Sequence, residues 1–311
     1  MLTDPRHRLR LLAAFAVVYI VWGSTYFAIR IGVQDLPAGL LAGSRFTLAG
    51  SALLLWTMLR GGPAPWHSKD WIPAMVMGTL MMVCANGFTT WAENWVPSNQ
   101  AALISVSSAL WIAWFGTFGP RGHALGVRAK SGLVLGFLGA ILMFVPGHGF
   151  SFEHLGAQLI ILAATVCWAA GAIYGRSLNL QTPPLTFSAM QMLFGGLVLV
   201  TIGLLSGEGA HWQWTVRGIG AMLYLAAFGS CLAFSTYVWL LRHTTPDKLS
   251  TIAYVNPVIA VILGWFGLGE TLNRAQMVGM LVLLTGVILI NTPVATFMKR
   301  YLRLGKNIAP G

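Results

Sequence analysis

The sequence predicts an all-α membrane protein with ten transmembrane helices, arranged as two inverted five-helix repeats. The chain is 56% hydrophobic and only 9% charged, with a mean hydropathy of +0.72. Soluble domains carry about 25% charged residues. The apolar residues are gathered into long runs, and landmarks of the first half of the chain recur in the second half. The basic residues lie mostly between alternate runs.

The apolar runs define the ten helices in order. About 20 apolar residues cross the roughly 30 Å hydrocarbon core of a bilayer. The runs cover residues 11–30, 38–59, 71–93, 98–118, 131–146, 155–175, 184–205, 215–241, 249–268 and 274–291. The connections are too short for a soluble domain, and the first run lacks the small-residue cleavage site of a signal peptide.

The placement of basic residues predicts the orientation. If both termini are cytoplasmic and the runs alternate, all but four of the 19 lysines and arginines lie on the cytoplasmic side. The exceptions are Arg30, Arg217 and Arg274, near outer ends, and Arg45, within the second span. This bias follows the positive-inside rule. We expect a multi-pass protein of the bacterial inner membrane with both termini cytoplasmic, and the net charge of +11 does not indicate nucleic-acid binding.

Landmarks recur in the same order in both halves. At an offset of 146, Trp22, Arg30, Pro37 and Gly50 match Trp168, Arg176, Pro183 and Gly196. Pro97 matches Pro246 at an offset of 149, and the run Gly132–Phe144 matches Gly279–Asn291 at an offset of 147. Because each half has five spans, an odd number, the second half enters the membrane from the opposite side. Such repeats place the substrate site near the midplane between the halves.

The predicted domains follow from this duplication. A cytoplasmic segment at 1–10 precedes the first repeat at 11–146, and a connecting loop at 147–154 leads to the second repeat at 155–292. A basic cytoplasmic tail occupies residues 293–311. The three cysteines all lie within predicted spans, which argues against a disulfide framework.

Three segments resemble a known family. They are "WGSTYFAIRIGV" (Trp22–Val33), "RFTLAG" (Arg45–Gly50) and "YVNPVIAVILGWFGLGE" (Tyr254–Glu270). With the ten-span duplication, they resemble EamA-type members of the drug/metabolite transporter superfamily, and most closely its YedA-like exporters. The resemblance implies movement of amino acids, other small metabolites or cationic drugs, usually outward. It also implies a cavity lined by helices one, three, four, six, eight and nine, with helices five and ten peripheral.

The first half departs from this pattern in its fourth span. Ser107 and Ser108 stand where the second half has Asn256 and Pro257, and Arg121 stands where Glu270 would be matched. The two halves therefore need not contribute equally to binding or gating.

Polar and aromatic residues within the spans are the candidate substrate contacts. A proline within a helix frees a carbonyl about one turn earlier, so Pro257 gives a kink and a polar surface beside Asn256. Asn86 and Glu93 share one side of span three with two threonines, which favours a cavity over lipid contact. The predicted substrate-binding residues are Trp22, Thr25, Asn86, Ser108, Trp111, Trp168, Tyr237, Tyr254 and Asn256.

Each candidate has a purely structural alternative. Thr25 and its neighbour Ser24 could bond their own helix backbone. Asn256 could pack against another helix beside a structural kink, and the tryptophans could be ordinary core residues. Trp22 and Trp168 have the strongest claim because the duplication places them symmetrically.

Arg30, Arg45, Glu93 and Pro257 are the predicted gating or structural residues. Glu93 is the only carboxylate expected within a span, and an unpaired arginine at the depth of Arg45 is unfavourable. We therefore predict an outer network of Glu93 with Arg45 or Arg30. It could brace the fold, gate the outer vestibule or couple transport to protons.

The remaining function classes lack support in the sequence. No His, Cys and carboxylate set has metal-ligand spacing, and no nucleophile with a base or phosphate-binding loop is recognisable. We expect no metal, no cofactor and no catalytic residues. The main hypothesis is a secondary transporter, a monomer or homodimer in the lipid bilayer, with a small-molecule substrate and protons as a candidate coupling ion. The alternatives are a membrane enzyme acting on lipid or small substrates, and a sensor or scaffold.

Overall fold

The computed structural model describes residues 5–62, 69–118, 124–145, 152–244, 246–249 and 251–291. These residues form helices and connecting turns, with no strand among them. The predicted tail at 293–311 lies outside the described residues, as do Arg121 and most of the predicted connecting loop.

The described helices group into ten rods. They are α1 Pro5–Gly32, α2 Ala38–Leu59, α3 Trp71–Ala92, α4 in two pieces (Ser98–Ser105 and Ser108–Phe115), α5 Val127–Leu142, α6 Phe152–Ser177, α7 Pro184–Leu205, α8 Val216–His243, α9 Ile252–Leu268 and α10 Arg274–Asn291. Single turns at Glu208–His211 and Pro246–Leu249 precede α8 and α9. Six rods are long and apolar enough to cross a membrane, namely α1, α2, α3, α6, α7 and α8.

The helix bounds differ from the predicted runs by a few residues, and the starts of two helices show why. α1 begins at Pro5 rather than near residue 11, and α5 begins at Val127 rather than near residue 131. In both cases the helix extends through basic residues beyond the apolar run. A helix satisfies its own backbone in water as well as in lipid, so an apolar run gives the buried length and not the helix end.

In two helix pairs, residues related by the repeat make the same contact in both directions. A side chain on Gly50 of α2 would overlap the backbone of Leu193 in α7, and one on Gly196 would overlap the backbone of Thr47. These positions differ by 146, so the two contacts are the same contact made in both directions. Gly43 lies against Val200 while Gly50 lies against Leu193, so the helices run antiparallel.

The α5–α10 pair repeats this arrangement. Gly139 approaches Leu283, and Gly286 approaches Gly136, again with partners exchanged at an offset of 147. Glycine at these points lets the helix backbones touch. α5 and α10 pack mainly on each other, whereas α1 packs against α9, and α6 against α3 and α4.

Both α3 and α8 contain a π-helical segment. The segments are Gly78–Gly87 and Leu225–Leu232, and their first residues differ by 147. α4 is interrupted at Val106 and Ser107, where the Ser107 hydroxyl lies 3.1 Å from that of Thr165 in α6. The matching stretch of α9 is a continuous helix, with Pro257 inside it at the place of Ser108.

Carboxylates from neighbouring loops hold several helix N-termini. Glu208 accepts hydrogen bonds from the amides of Gly39 and Leu40 at the start of α2. Asp70 accepts from the amides of Gln181 and Thr182, before α7. A hydrogen bond from the Thr182 side chain and those from the two amides lower the pKa of Asp70. First-turn amides lack intrahelical acceptors, so Glu208 satisfies groups at the start of α2 that would otherwise be unpaired.

Asp35, between α1 and α2, forms an ion pair with Arg217 at the start of α8. The Asp35 and Arg217 side chains are joined by contacts of 2.6 and 2.9 Å, and the Thr215 hydroxyl donates to the same carboxylate at 2.7 Å. These hydrogen bonds lower the pKa of Asp35 to about 2. The pair joins the two halves at one end of the bundle.

Candidate functional site

A group of polar side chains lies between α1, α2, α3 and α4, and we call it the polar cluster. Its members are Tyr26, Arg45, Asn86, Thr90, Glu93 and Ser105. Tyr26, Arg45, Asn86 and Ser105 each lie about six or seven residues from the same end of their helices, which corresponds to about 10 Å of depth. The fold therefore brings the predicted residues Arg45 and Asn86 together, with Glu93 about two turns further along α3.

Arg45 is buried with part of its guanidinium unpartnered. Its side chain is 5% exposed, and Nη2 donates to Asn86 Oδ1 at 3.1 Å. Its guanidinium carbon lies 4.2 Å from the ring centroid of Phe46. Nε and Nη1 have no hydrogen-bond partner among the described residues. These free N–H groups are suited to a carboxylate or another anionic acceptor.

The π-helical segment of α3 positions Asn86. The Asn86 amide nitrogen donates to the carbonyl of Met81, five residues earlier, at 2.8 Å. Its amide oxygen is then directed to Arg45. π-helical segments occur frequently at functional sites because they reorient side chains within a helix. Sequence reasoning identified Asn86 but gave no signal for the π geometry.

Glu93 follows the last residue of α3 and is fully buried. Neither carboxylate oxygen has a hydrogen-bond partner among the described residues. Arg30 instead donates to the main-chain carbonyls of Glu93 and Asn94, the latter at 2.9 Å. These are carbonyls at the end of a helix, which lack intrahelical partners. The expected network thus runs from Arg30 to the backbone of α3, and neither Arg30 nor Arg45 pairs with the Glu93 carboxylate.

Glu270 closes the same end of the molecule from the second half. Its carboxylate accepts from the Ser98 amide and hydroxyl, both at 2.8 Å, and from the Asn99 amide at 3.0 Å. Sequence reasoning treated Glu270 only as a family landmark, and nothing in the sequence linked it to the start of α4.

An aromatic group lies one turn along α1 from the polar cluster. The Trp22 ring lies 5.0 Å from that of Tyr237 and 6.1 Å from that of Phe234, both on α8. Trp22 Nε1 donates to the carbonyl of Gly229, in the π-helical segment of α8, at 3.1 Å. Because Trp22 and Tyr26 are four residues apart, they lie on the same side of α1. Two predicted residues, Trp22 and Tyr237, are therefore in contact beside the polar cluster.

The hydroxyls that interrupt the first span bond mainly to their own helix. Thr25 donates to the Trp22 carbonyl at 2.7 Å, and Ser24 donates to that of Val21 at 2.9 Å. Ser24 also lies 2.6 Å from the Tyr224 hydroxyl of α8. The structural alternative for Thr25 is thus the arrangement observed, with its methyl group against Gly229.

The other predicted residues lie further from the polar cluster. Tyr254 packs with residues of α4 and α10, and the Asn256 carbonyl lies against Gly23 of α1. Ser108 and Trp111 are on the second piece of α4, where Trp111 stacks edge-on to Phe137 of α5 at 4.8 Å. Trp168 is partly buried in a core formed mainly by α2, α3 and α7.

The family follows from a comparison of the whole chain. The sequence signature of the EamA-like transporter family matches residues 9–145 and again residues 155–292. The chain belongs to the EamA-like transporter family.

Relatives with transporter names support this assignment. The chain is 35% identical over 290 residues to YedA of Escherichia coli K12, described as an uncharacterized inner membrane transporter, with 92% of each chain covered. It is 26% identical over 296 residues to the uncharacterized transporter YvbV of Bacillus subtilis, with 93% of each covered. A solved crystal structure has a TM-score of 0.64 at 20% identity and covers 95% of this chain and 99% of that chain, which supports the fold alone.

The protein is therefore a membrane transporter of the drug/metabolite transporter superfamily. A transporter resides in the lipid bilayer and binds a small-molecule substrate. The polar cluster and the adjoining aromatic group are the candidate place for that substrate.

Proposed function

We propose that this protein is a secondary transporter of the inner membrane that exports small amphipathic molecules by alternating access. The expected substrates are amino acids or related metabolites, or drug-like compounds. The observation that supports this most is the burial of Arg45 and of the Glu93 carboxyl group, whose polar atoms have free hydrogen-bonding capacity. A buried, incompletely paired charge costs several kcal/mol, so its retention within the bundle favours a ligand-binding role.

The spacing of the two charges favours a zwitterionic ligand. Arg45 is held at Asn86, and Glu93 lies seven residues further along α3, about 10 Å along the helix axis. An ammonium group at Glu93 and a carboxylate at Arg45, each with one hydrogen bond, would bridge much of this gap. Trp22 and Tyr237 then offer aromatic surface to the rest of the molecule.

The proposed alternating access rests on a specific membrane topology. In our proposal all ten rods cross the membrane, the two five-helix halves have opposite orientations, and both termini are cytoplasmic. The antiparallel, exchanged contacts of α2 with α7 and of α5 with α10 support an axis perpendicular to the helices. Labelling of single introduced cysteines from either side tests this, and a periplasmic carboxy terminus would refute the topology.

Counterflow in proteoliposomes tests the function. We expect exchange of a labelled amino acid from a panel of substrates, with a loss of at least tenfold in Arg45→Gln and in Glu93→Gln. Arg274→Gln is the matched control, because this arginine is exposed at the start of α10, outside the cluster. A membrane enzyme or a scaffold would give no counterflow.

Substrate analogues separate the two charges. A methyl ester removes the carboxylate and an N-acetyl group removes the ammonium, and we expect either change to abolish thermal stabilisation of the purified protein. Glu93→Gln should retain the pH dependence of transport if Glu93 binds substrate, and should lose it if Glu93 carries a coupling proton.

A further inference from the structure

A groove opens at the end of the bundle where α2 ends, α7 begins and α8 ends. It encloses about 440 Å³. Its walls are apolar and aromatic, with Trp56 on α2, Leu185 on α7, and Val238 and Trp239 on α8. Trp56 is 53% exposed, so the groove is open at the side of the bundle.

The charged residues that line this groove are all basic. Arg60 and Arg242 flank it, and His243 completes the rim. The Arg60 guanidinium carbon lies 4.5 Å from the centroid of the Trp56 ring. The His243 ring stacks on Trp239 at 4.1 Å, and its Nδ1 lies 2.8 Å from the Trp239 carbonyl. Both arginines are exposed, and their guanidinium groups form no ion pair within the described parts of the chain.

The groove is separate from the proposed substrate site. Ser235, Val238, Trp239 and Arg242 follow a spacing of three or four residues, so they form one stripe along α8. Tyr237 lies on another side of the helix, in contact with Trp22. The stripe therefore lies on the side of α8 away from Tyr237 and the polar cluster, and only Trp239 also packs against the core between α1 and α9.

We propose that this groove binds the headgroup of an anionic glycerophospholipid. Arg60 and Arg242 contact the phosphate, and the acyl chains lie along Trp56, Leu185 and Val238. The charge complementarity and the lateral opening together select this occupant, because a headgroup needs cationic donors at the bilayer surface and an apolar path beside them. Basic recesses between membrane helices bind such headgroups.

The test measures lipid binding by the full-length protein in detergent. Dioleoylphosphatidylglycerol is added to delipidated protein, and the melting temperature is compared with that in dioleoylphosphatidylcholine and in inorganic phosphate. We expect stabilisation by phosphatidylglycerol alone. At about 1 kcal/mol for each basic residue, Arg60→Gln with Arg242→Gln should weaken this binding by about thirtyfold.

Arg128→Gln with Lys130→Gln is the matched control. It removes the same charge from α5, outside the groove, and should retain the wild-type lipid response. If the groove variant folds poorly, Arg60→Lys with Arg242→Lys keeps the charge but loses the forked geometry, and should weaken the response less. Equal stabilisation by both lipids, stabilisation by inorganic phosphate alone, or equal losses in the groove and control variants would each overturn the proposal.

Discussion

Arg30 and Arg176 occupy matching places at the ends of α1 and α6, but their surroundings differ. Arg30 donates to the last carbonyls of α3, at Glu93 and Asn94. Arg176 is exposed, and its guanidinium makes no hydrogen bond within the described residues. The carbonyls that match those of Glu93 and Asn94, at an offset of 149 residues, belong to Arg242 and His243 at the end of α8.

We interpret the difference as closure of one end of the bundle through Arg30, with no matching arginine contact at the other end. At the closed end, Glu270 of the second half also holds the start of α4, and Phe27 lies against Gly267 of α9. Two repeats with similar sequences can close one end of the helix bundle and leave the other end open. Alternating access would be the exchange of the closed and open arrangements between the two ends. In the proposed orientation the closed end is periplasmic, and we propose that this is an inward-open form.

We expect the largest loss of stability from a substitution at the closed end. Glu270→Ala removes a carboxylate that accepts three hydrogen bonds at a helix N-terminus. We expect a loss of about 3 kcal/mol in the free energy of unfolding, measured by denaturant melts in detergent. The neighbouring Thr271→Ala should have little effect. A Glu270→Ala protein as stable as wild type would show that the closure of α4 does not depend on this residue.

A smaller and unequal effect is expected from the two matching arginines. Arg30→Gln should lower the free energy of unfolding by about 1–2 kcal/mol, because the α3 carbonyls lose a charged donor. Arg176→Gln should leave stability unchanged but slow transport, since its predicted bonds form only in the outward-open form. Equal destabilisation by both substitutions would contradict the difference between the ends.

The smallest expected effect is the loss, at acidic pH, of the stability that the Asp35–Arg217 ion pair contributes. The pKa of Asp35 in the folded protein, about 2, lies below its usual value of about 3.9. Its contribution is therefore complete above pH 4 and is lost as the pH falls toward 2. Asp35→Asn should lower the melting temperature slightly at pH 6 and not at pH 2. The same decrease at both pH values would exclude this ionisation as the cause.

Much of the fold could be predicted from sequence because apolar runs and repeated landmarks report on helices directly. The side-chain partners could not, because they depend on tertiary geometry. Arg45 and Glu93 were expected to interact, but Arg45 bonds Asn86, and Glu93 is engaged only through its backbone carbonyl. Tyr26 joined the cluster unpredicted, since a tyrosine in an apolar run carries no sign of the direction it faces.

The sequence also indicated the interruption of α4 only in part. Ser107 and Ser108 were recognised as a departure from the second half, and the interruption lies at Val106 and Ser107. The sequence analysis found no signal for the π-helical segments of α3 and α8. Their matching positions became visible only in the structure.

Distances between spin labels test most directly whether the two ends of the bundle exchange their closed and open arrangements. In a background without native cysteines, one label pair is placed at Gln34 and Thr271, at the closed end, and another at Ser177 and Leu241, at the open end. All four positions are exposed. Arg30→Gln should lengthen the first distance and shorten the second within the same sample. If Arg30→Gln leaves both distances unchanged, or moves both in the same direction, the two ends do not exchange arrangements and the account is wrong.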